Sequence, residues 1–171
     1  ETLRYSYEFS AGHPHRTVHR SVSVEPVLHD LSHEADPDAA LPALLKAQAC
    51  QPFDLDQPPL LRCVVYRLSE TVHVVLLVMH HIVSDGWSMW VMLSELAAGY
   101  QAAQVTCQPA ALPPAVQYSD YAVWQRDRLT GSLLEKHVEY WQQQLADTPA
   151  MLELPTDHPR SPVQDFEGAT K

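Results

Sequence analysis

This 171-residue sequence has little of what marks several protein classes. It has no cluster of positive charge. Its eleven Lys and Arg are scattered, and the closest pair, Arg126 and Arg128, has Asp127 between them. Twenty-one acids leave a formal charge of -10. Phosphate recognition depends on clustered cations, so nucleic acid is excluded as a partner. There is no long apolar run. The longest, Val74 to Met79, falls far short of the ~20 residues that span a bilayer, which excludes a membrane-spanning helix. No signal-peptide pattern opens the chain. The three cysteines, Cys50, Cys63 and Cys107, have no CxxC spacing. That argues against a disulfide framework or a structural zinc site, and sets a reducing, cytoplasmic compartment as the expectation. Each cysteine reads as a small packing residue.

What is present suits a folded chain. A hydrophobic content of 46% with 19% charged residues can fill a core, and the length fits one domain or one lobe of a larger one. Leu3, Tyr5, Tyr7 and Phe9 alternate with Arg4, Ser6 and Glu8, the period of a half-buried strand. Ala11-Gly12 supplies a turn, and Arg16 to Val24 returns as a second strand; Val27 to Leu31 is a third. Asp36-Pro37 starts a helix, with Asp36 as cap and Pro37 at the first helical position. Its apolar face is Leu41, Leu44, Leu45 and Ala49, and Pro52 stops it. Leu60 to Leu68 and Val72 to Met79 form a β pair, the second apolar on both faces like a central, covered strand. After Gly86 the period turns helical through Trp90, Leu93, Ala97 and Tyr100. Pro109, Pro113 and Pro114 mark a linker. Two helices follow, about Tyr118 to Leu129 and about Ser132 to Ala146, the latter with Leu134, Val138, Trp141 and Leu145 on one face. Leu154 to Pro162 reads as an extended arm. The class is α/β, helices covering a mixed sheet.

One segment carries chemistry: Met79-His80-His81-Ile82-Val83-Ser84-Asp85-Gly86-Trp87-Ser88. A buried strand runs into adjacent histidines, then a turn, an aspartate, a glycine and a helix. Loops at strand ends are where reactive side chains commonly sit. Neighbouring side chains on a strand point to opposite faces, so one histidine packs and the other faces a cleft. Gly86 can take a positive φ or let another chain approach closely, and the helix beyond it aims backbone N–H groups at the same region. By spacing alone other readings stay open. The histidines and Asp85 could ligate a metal, though with poor spacing and no fourth ligand; they could be ordinary turn residues; Asp85 could simply cap the helix. The other eight histidines, including His13, His15 and His19, read as surface residues.

This segment resembles the HHxxxDG motif of nonribosomal peptide synthetase condensation domains. Glu1-Thr2-Leu3-Arg4 resembles the end of that family's RHExLR segment. Phe53-Asp-Leu-Asp-Gln-Pro-Pro-Leu-Leu-Arg62 resembles its FDLxxxPLLR segment, and Tyr118 to Gln125 its YxDYAxWQ motif. Tyr140-Trp141, Gln144-Leu145 and Leu154 to Arg160 are similar to the stretch leaving its first lobe. The resemblance implies a chloramphenicol acetyltransferase-like two-layer sandwich, of which residues 1–171 would be the N-terminal lobe, truncated at both ends. It implies amide-bond formation between an acyl or peptidyl thioester and an aminoacyl thioester, both on the phosphopantetheine arms of carrier proteins, with no directly bound cofactor and no metal. The implied partners are upstream and downstream peptidyl carrier proteins, an adjacent adenylation domain and a C-terminal lobe of the same domain. His81 would face the substrate tunnel and handle the amine proton, as an imidazole with a pKa of about 6.5 can near neutrality. His80 would pack, and Gly86 would allow close backbone approach and help to polarise the thioester carbonyl. Asp85 would be chiefly structural, paired with Arg62. Tyr118, Tyr121 and Trp124 read as core. Later motifs are similar to domains joining two L-configured residues. Alternatives are an epimerization domain, another HHxxxDG acyltransferase, or a non-catalytic recruitment module; an intact HHxxxDG argues against the last.

Overall fold

A computed structural model describes residues 1–106, 115–151, 154–159 and 163. The linker prolines Pro109, Pro113 and Pro114, together with Cys107, lie outside the described residues. The chain divides into two compact units, Glu1–Val123 and Trp124–Lys171.

In the first unit, β1 (Tyr5–Ser10) and β2 (His13–Val18) form an antiparallel hairpin, with Tyr5 opposite Val18 and Ser10 opposite His13. Both turn residues have positive φ, Ala11 at 51° and Gly12 at 80°. This is the primed turn whose twist matches that of the strands, and it needs no further loop. The return strand therefore begins at His13, earlier than the expected Arg16. It ends at Val18 rather than Val24, because Arg4 Nη1 donates to the carbonyls of His19 (2.6 Å) and Arg20 (2.8 Å) and turns the chain there.

A second sheet has the order β3 (Val27–Asp30), β4 (Leu61–Arg67), β5 (His73–Met79), with β3 parallel and β5 antiparallel to β4. The central strand is thus β4, and β5, expected to be central, borders only β4 among the described strands. Helix α1 (Pro37–Ala49) starts as its sequence dictates: Asp36 Oδ1 accepts from Ala39 N at 3.0 Å, with Pro37 at the first turn.

The core lies between α1 and this sheet. Leu31, Val64 and Tyr66 are buried, and Leu41, Leu44 and Leu45 of α1 pack on them with Leu68, Val74 and Leu76. Strand parity explains the set. Val64 and Tyr66 are two residues apart on β4, and they face Leu76 and Val74 of β5 in register. Arg62 and Val78 are the next pair on the same face, which places Arg62 beside α1. On the other face Val75 is half exposed while Leu77 and Met79 are partly buried, so the cover of β5 is incomplete at Val75.

Helix α2 (Gly86–Thr106) follows the β5 loop, and α3 (Tyr118–Arg128) runs across the boundary between the two units. Trp90, Leu93 and Tyr100 of α2 are exposed, as are Tyr118, Tyr121 and Trp124 of α3, which helical spacing had marked as core. Spacing identifies a shared helix face but not what covers it. In the second unit, α4 (Gly131–Gln144) sets Leu134, Val138, Trp141 and Leu145 along one open groove. Leu154 to Pro159 is neither helix nor strand. No helix among the described residues is long and apolar enough to cross a membrane. Cys50 is exposed at the end of α1 rather than packed, and Cys63 is half-buried.

Candidate active site: a strand-end histidine loop

The loop between β5 and α2 is built from His80 outward. The His80 N–H donates to the Leu60 carbonyl at 3.1 Å, extending the β4–β5 pairing by one step. By parity His80 belongs to the same sheet face as Val74, Leu76 and Val78, the face against α1. It is half-buried, and its ring meets the Phe53 ring edge to face, centroids 6.2 Å apart at 90°. Its Nδ1 accepts from the Ile82 N–H at 3.0 Å, so the neutral ring carries its proton on Nε2. Its carbonyl accepts from Val83 N (3.1 Å) and Ser84 Oγ (3.2 Å). Val83 is buried and pins the turn. Between these anchored neighbours, His81 is exposed to solvent.

Asp85 stands at the head of α2. Its carbonyl accepts from Met89 N at 3.2 Å, and its Oδ1 accepts from Ser88 N (2.8 Å) and Ser88 Oγ (2.6 Å). This is N-cap geometry. The Ser88 hydroxyl, then the Ser88 backbone N–H, hold the Asp85 carboxyl below the usual carboxylate range, with His81 a smaller contributor. Gly86 opens the helix without positive φ, and a Cβ there would meet nothing within 4 Å. Nothing within the described chain requires glycine at this position.

The ion pair between Arg62 and Asp85 is not formed. Arg62 lies on the α1 face of β4, and its guanidinium donates to the carbonyls of Pro52 (3.1 Å), Gln48 (3.3 Å) and Gln51. These lie at and just beyond the C-terminus of α1, where a cation is favoured by unpaired carbonyls and the helix dipole. The guanidinium carbon also sits 3.9 Å from the centroid of the Phe53 ring. With Asp85 engaged by Ser88, each group has its own local partners.

On the other side of the loop, Tyr7 Oη donates to the Ile82 carbonyl at 3.5 Å, and burial pushes its hydroxyl above its ordinary 10.0. Two histidines expected at the surface are engaged: His19 Nε2 lies 2.8 Å from the buried Ser6 Oγ, and His29 stacks on Tyr66. Among the described residues no three His, Cys, Asp or Glu side chains converge as a metal would need. Phe53, Tyr7 and Ser88 are the supporting residues that the sequence reading missed. Ser88 had a signal, since a cap followed three residues later by a polar side chain marks a helix start.

A sequence profile for the condensation domain matches residues 1–171. The chain belongs to the condensation domain family. The sequence is 39% identical over 170 residues to the chondramide synthase of Chondromyces crocatus, covering 98% of this chain and 4% of that protein. Among solved structures, the X-domain in complex with OxyB from teicoplanin biosynthesis aligns with a TM-score of 0.73 at 32% identity, over 94% of this chain and 35% of that one. The first condensation domain of the calcium-dependent antibiotic synthetase, in complex with a substrate analogue, aligns with a TM-score of 0.72 at 25% identity, over 87% and 36%. The chain thus spans a few per cent of that synthase and about a third of each of these solved chains. The family is of the acyltransferase type, and the mixed α/β architecture matches that of its solved members.

Proposed function

We propose that this chain is the histidine-bearing N-terminal lobe of a condensation domain that forms amide bonds in nonribosomal peptide synthesis. One observation carries the reading. Of two adjacent strand-end histidines, His80 is anchored on the α1 face while His81 is presented outward beside the head of α2. In the proposed reaction the acceptor amine attacks the donor thioester carbonyl, a C–N bond forms, and the C–S bond breaks. The amine loses a proton and the departing thiolate gains one. His81 accepts or holds the amine proton as the tetrahedral intermediate forms. The first N–H groups of α2, at Gly86, favour negative charge developing on the carbonyl oxygen. Open space at Gly86 leaves room for the pantetheine-borne thioester. Asp85 and Arg62 hold the loop rather than react, each through its own helix end.

The proposed partners follow. Upstream and downstream peptidyl carrier proteins deliver substrates on phosphopantetheine arms, an adenylation domain adjoins, and a C-terminal lobe closes the tunnel in the cytoplasm. The exposed apolar residues of α2, including Trp87, Trp90 and Leu93, support a chain covered by further protein, since bare apolar patches of that kind mark interfaces. Later motifs favour joining two L-configured residues.

The test uses a full-length synthetase carrying this chain, with both carriers loaded. His81→Ala should lower single-turnover condensation by about 10²–10⁴-fold, the usual contribution of a general base, with unfolding unchanged. Near-full activity would replace base catalysis by tethered proximity as the mechanism. The isolated 171 residues should form no amide; measurable product from them would overturn the one-lobe reading.

A further inference from the structure

We propose that Phe53 is a positioning residue for the strand-end histidines, coupling the Arg62 clamp to the direction of His81. Three planar groups follow one another here. The Arg62 guanidinium lies over the Phe53 ring at 3.9 Å, and the Phe53 ring meets the His80 imidazole at right angles. The first member cannot easily shift, because three backbone carbonyls at residues 48, 51 and 52 hold it. The Arg62 Nε is buried without a hydrogen-bond partner among the described residues, so this part of the guanidinium relies on packing. The same carbonyl contacts fix the backbone up to Pro52, immediately before Phe53.

The last member bears on function. His80 and Ile82 flank His81, and the bond from Ile82 N–H to His80 Nδ1 closes a small ring around the His81 backbone. That bond exists only while Nδ1 is unprotonated and the imidazole keeps its plane. Phe53 is the ring against His80, so it sets that plane and thereby where His81 points. A ring of similar size should preserve the arrangement; an aliphatic side chain should release it while leaving the site apolar.

The value of this coupling for catalysis rests on His81 being the functional histidine, but its physical test does not. In the ¹⁵N-labelled chain at about pH 8, His80 should be a single Nε2–H tautomer with an acceptor-type Nδ1 shift. Phe53→Leu should give mixed tautomers and speed Ile82 amide exchange roughly tenfold, with wild-type exchange in the β4–β5 core. Phe53→Tyr should retain the wild-type signals. If leucine prevents folding, Phe53→Met supplies the same comparison. Wild-type tautomer and exchange in the aliphatic variant, or their loss in Phe53→Tyr, would overturn the proposal. In the loaded synthetase, Phe53→Leu should lower kcat with little change in KM, and Phe53→Tyr should rescue it. Full activity in His81→Ala beside a shifted tautomer in Phe53→Leu would remove the base role of His81 and leave the coupling standing; the reverse pattern would do the opposite.

Discussion

Asp85 accepts both the backbone N–H and the hydroxyl of Ser88, at 2.8 and 2.6 Å, and so closes the first turn of α2 directly behind His81. The motif aspartate is therefore a helix cap, and its first duty is to hold the helix start that follows the histidine loop. Asp85→Ala should lower the melting temperature, and Asp85→Asn, which can still accept from Ser88 N, should lower it less. The carboxyl is held below its ordinary 3.8 in the folded chain, chiefly by Ser88. Its contribution is thus fully present above pH 3.8 and fades as pH falls through the lowered folded value. Thermal melts of wild type and Asp85→Asn across about pH 2–7 should converge at the acid end; a constant gap would contradict the cap.

Arg62 should behave as the C-terminal clamp of α1. Arg62→Ala should destabilise the chain by about 1–2 kcal/mol through lost charged hydrogen bonds and Phe53 packing. Arg62→Lys should recover only part, because a point charge cannot fork to several carbonyls or lie flat on a ring. Asp85→Ala combined with Arg62→Ala should cost the sum of the single effects. A strongly sub-additive double mutant in urea unfolding would restore the ion-pair account.

The hairpin turn stores a small strain. Ala11 sits at φ 51°, a region that Asn and Gly occupy at lower cost. Ala11→Asn should stabilise the chain by about 0.5–1 kcal/mol, read from the denaturation midpoint at unchanged slope. A loss of stability would mean that the turn is of another type.

Tyr66 tests the core. It is almost fully buried between Leu44, Leu45 and His29, and its hydroxyl reaches the Leu44 carbonyl only at 3.5 Å. Tyr66→Ala should cost about 3–5 kcal/mol, as for other large core truncations. Tyr66→Phe should cost less than about 1 kcal/mol, since so long a hydrogen bond is weak. Equal losses would make the hydroxyl, not the ring, the stabilising part.

Local rules determined much of this protein. The Asp36-Pro37 start of α1, the Ala11-Gly12 turn and the β4–β5 pair depend on a few neighbouring residues, and period-2 and period-3.6 patterns are written in single segments. The motif string was enough to mark the histidine loop and its family. Tertiary structure decided what depends on distant partners. Whether Arg62 would meet Asp85 or the end of α1 turned on the strand face it shares with Val64 and Tyr66, which needs the register as well as the sequence. Whether β5 would be central or border one strand turned on which strand paired with β3. The apolar pattern of β5 states only that it tolerates burial on both faces. Phe53 entered the site because α1 ends where β4 presents a guanidinium, a meeting of residues that are not neighbours in the chain. Side-chain contacts across such separations follow from packing geometry, and a one-dimensional pattern holds that geometry only implicitly.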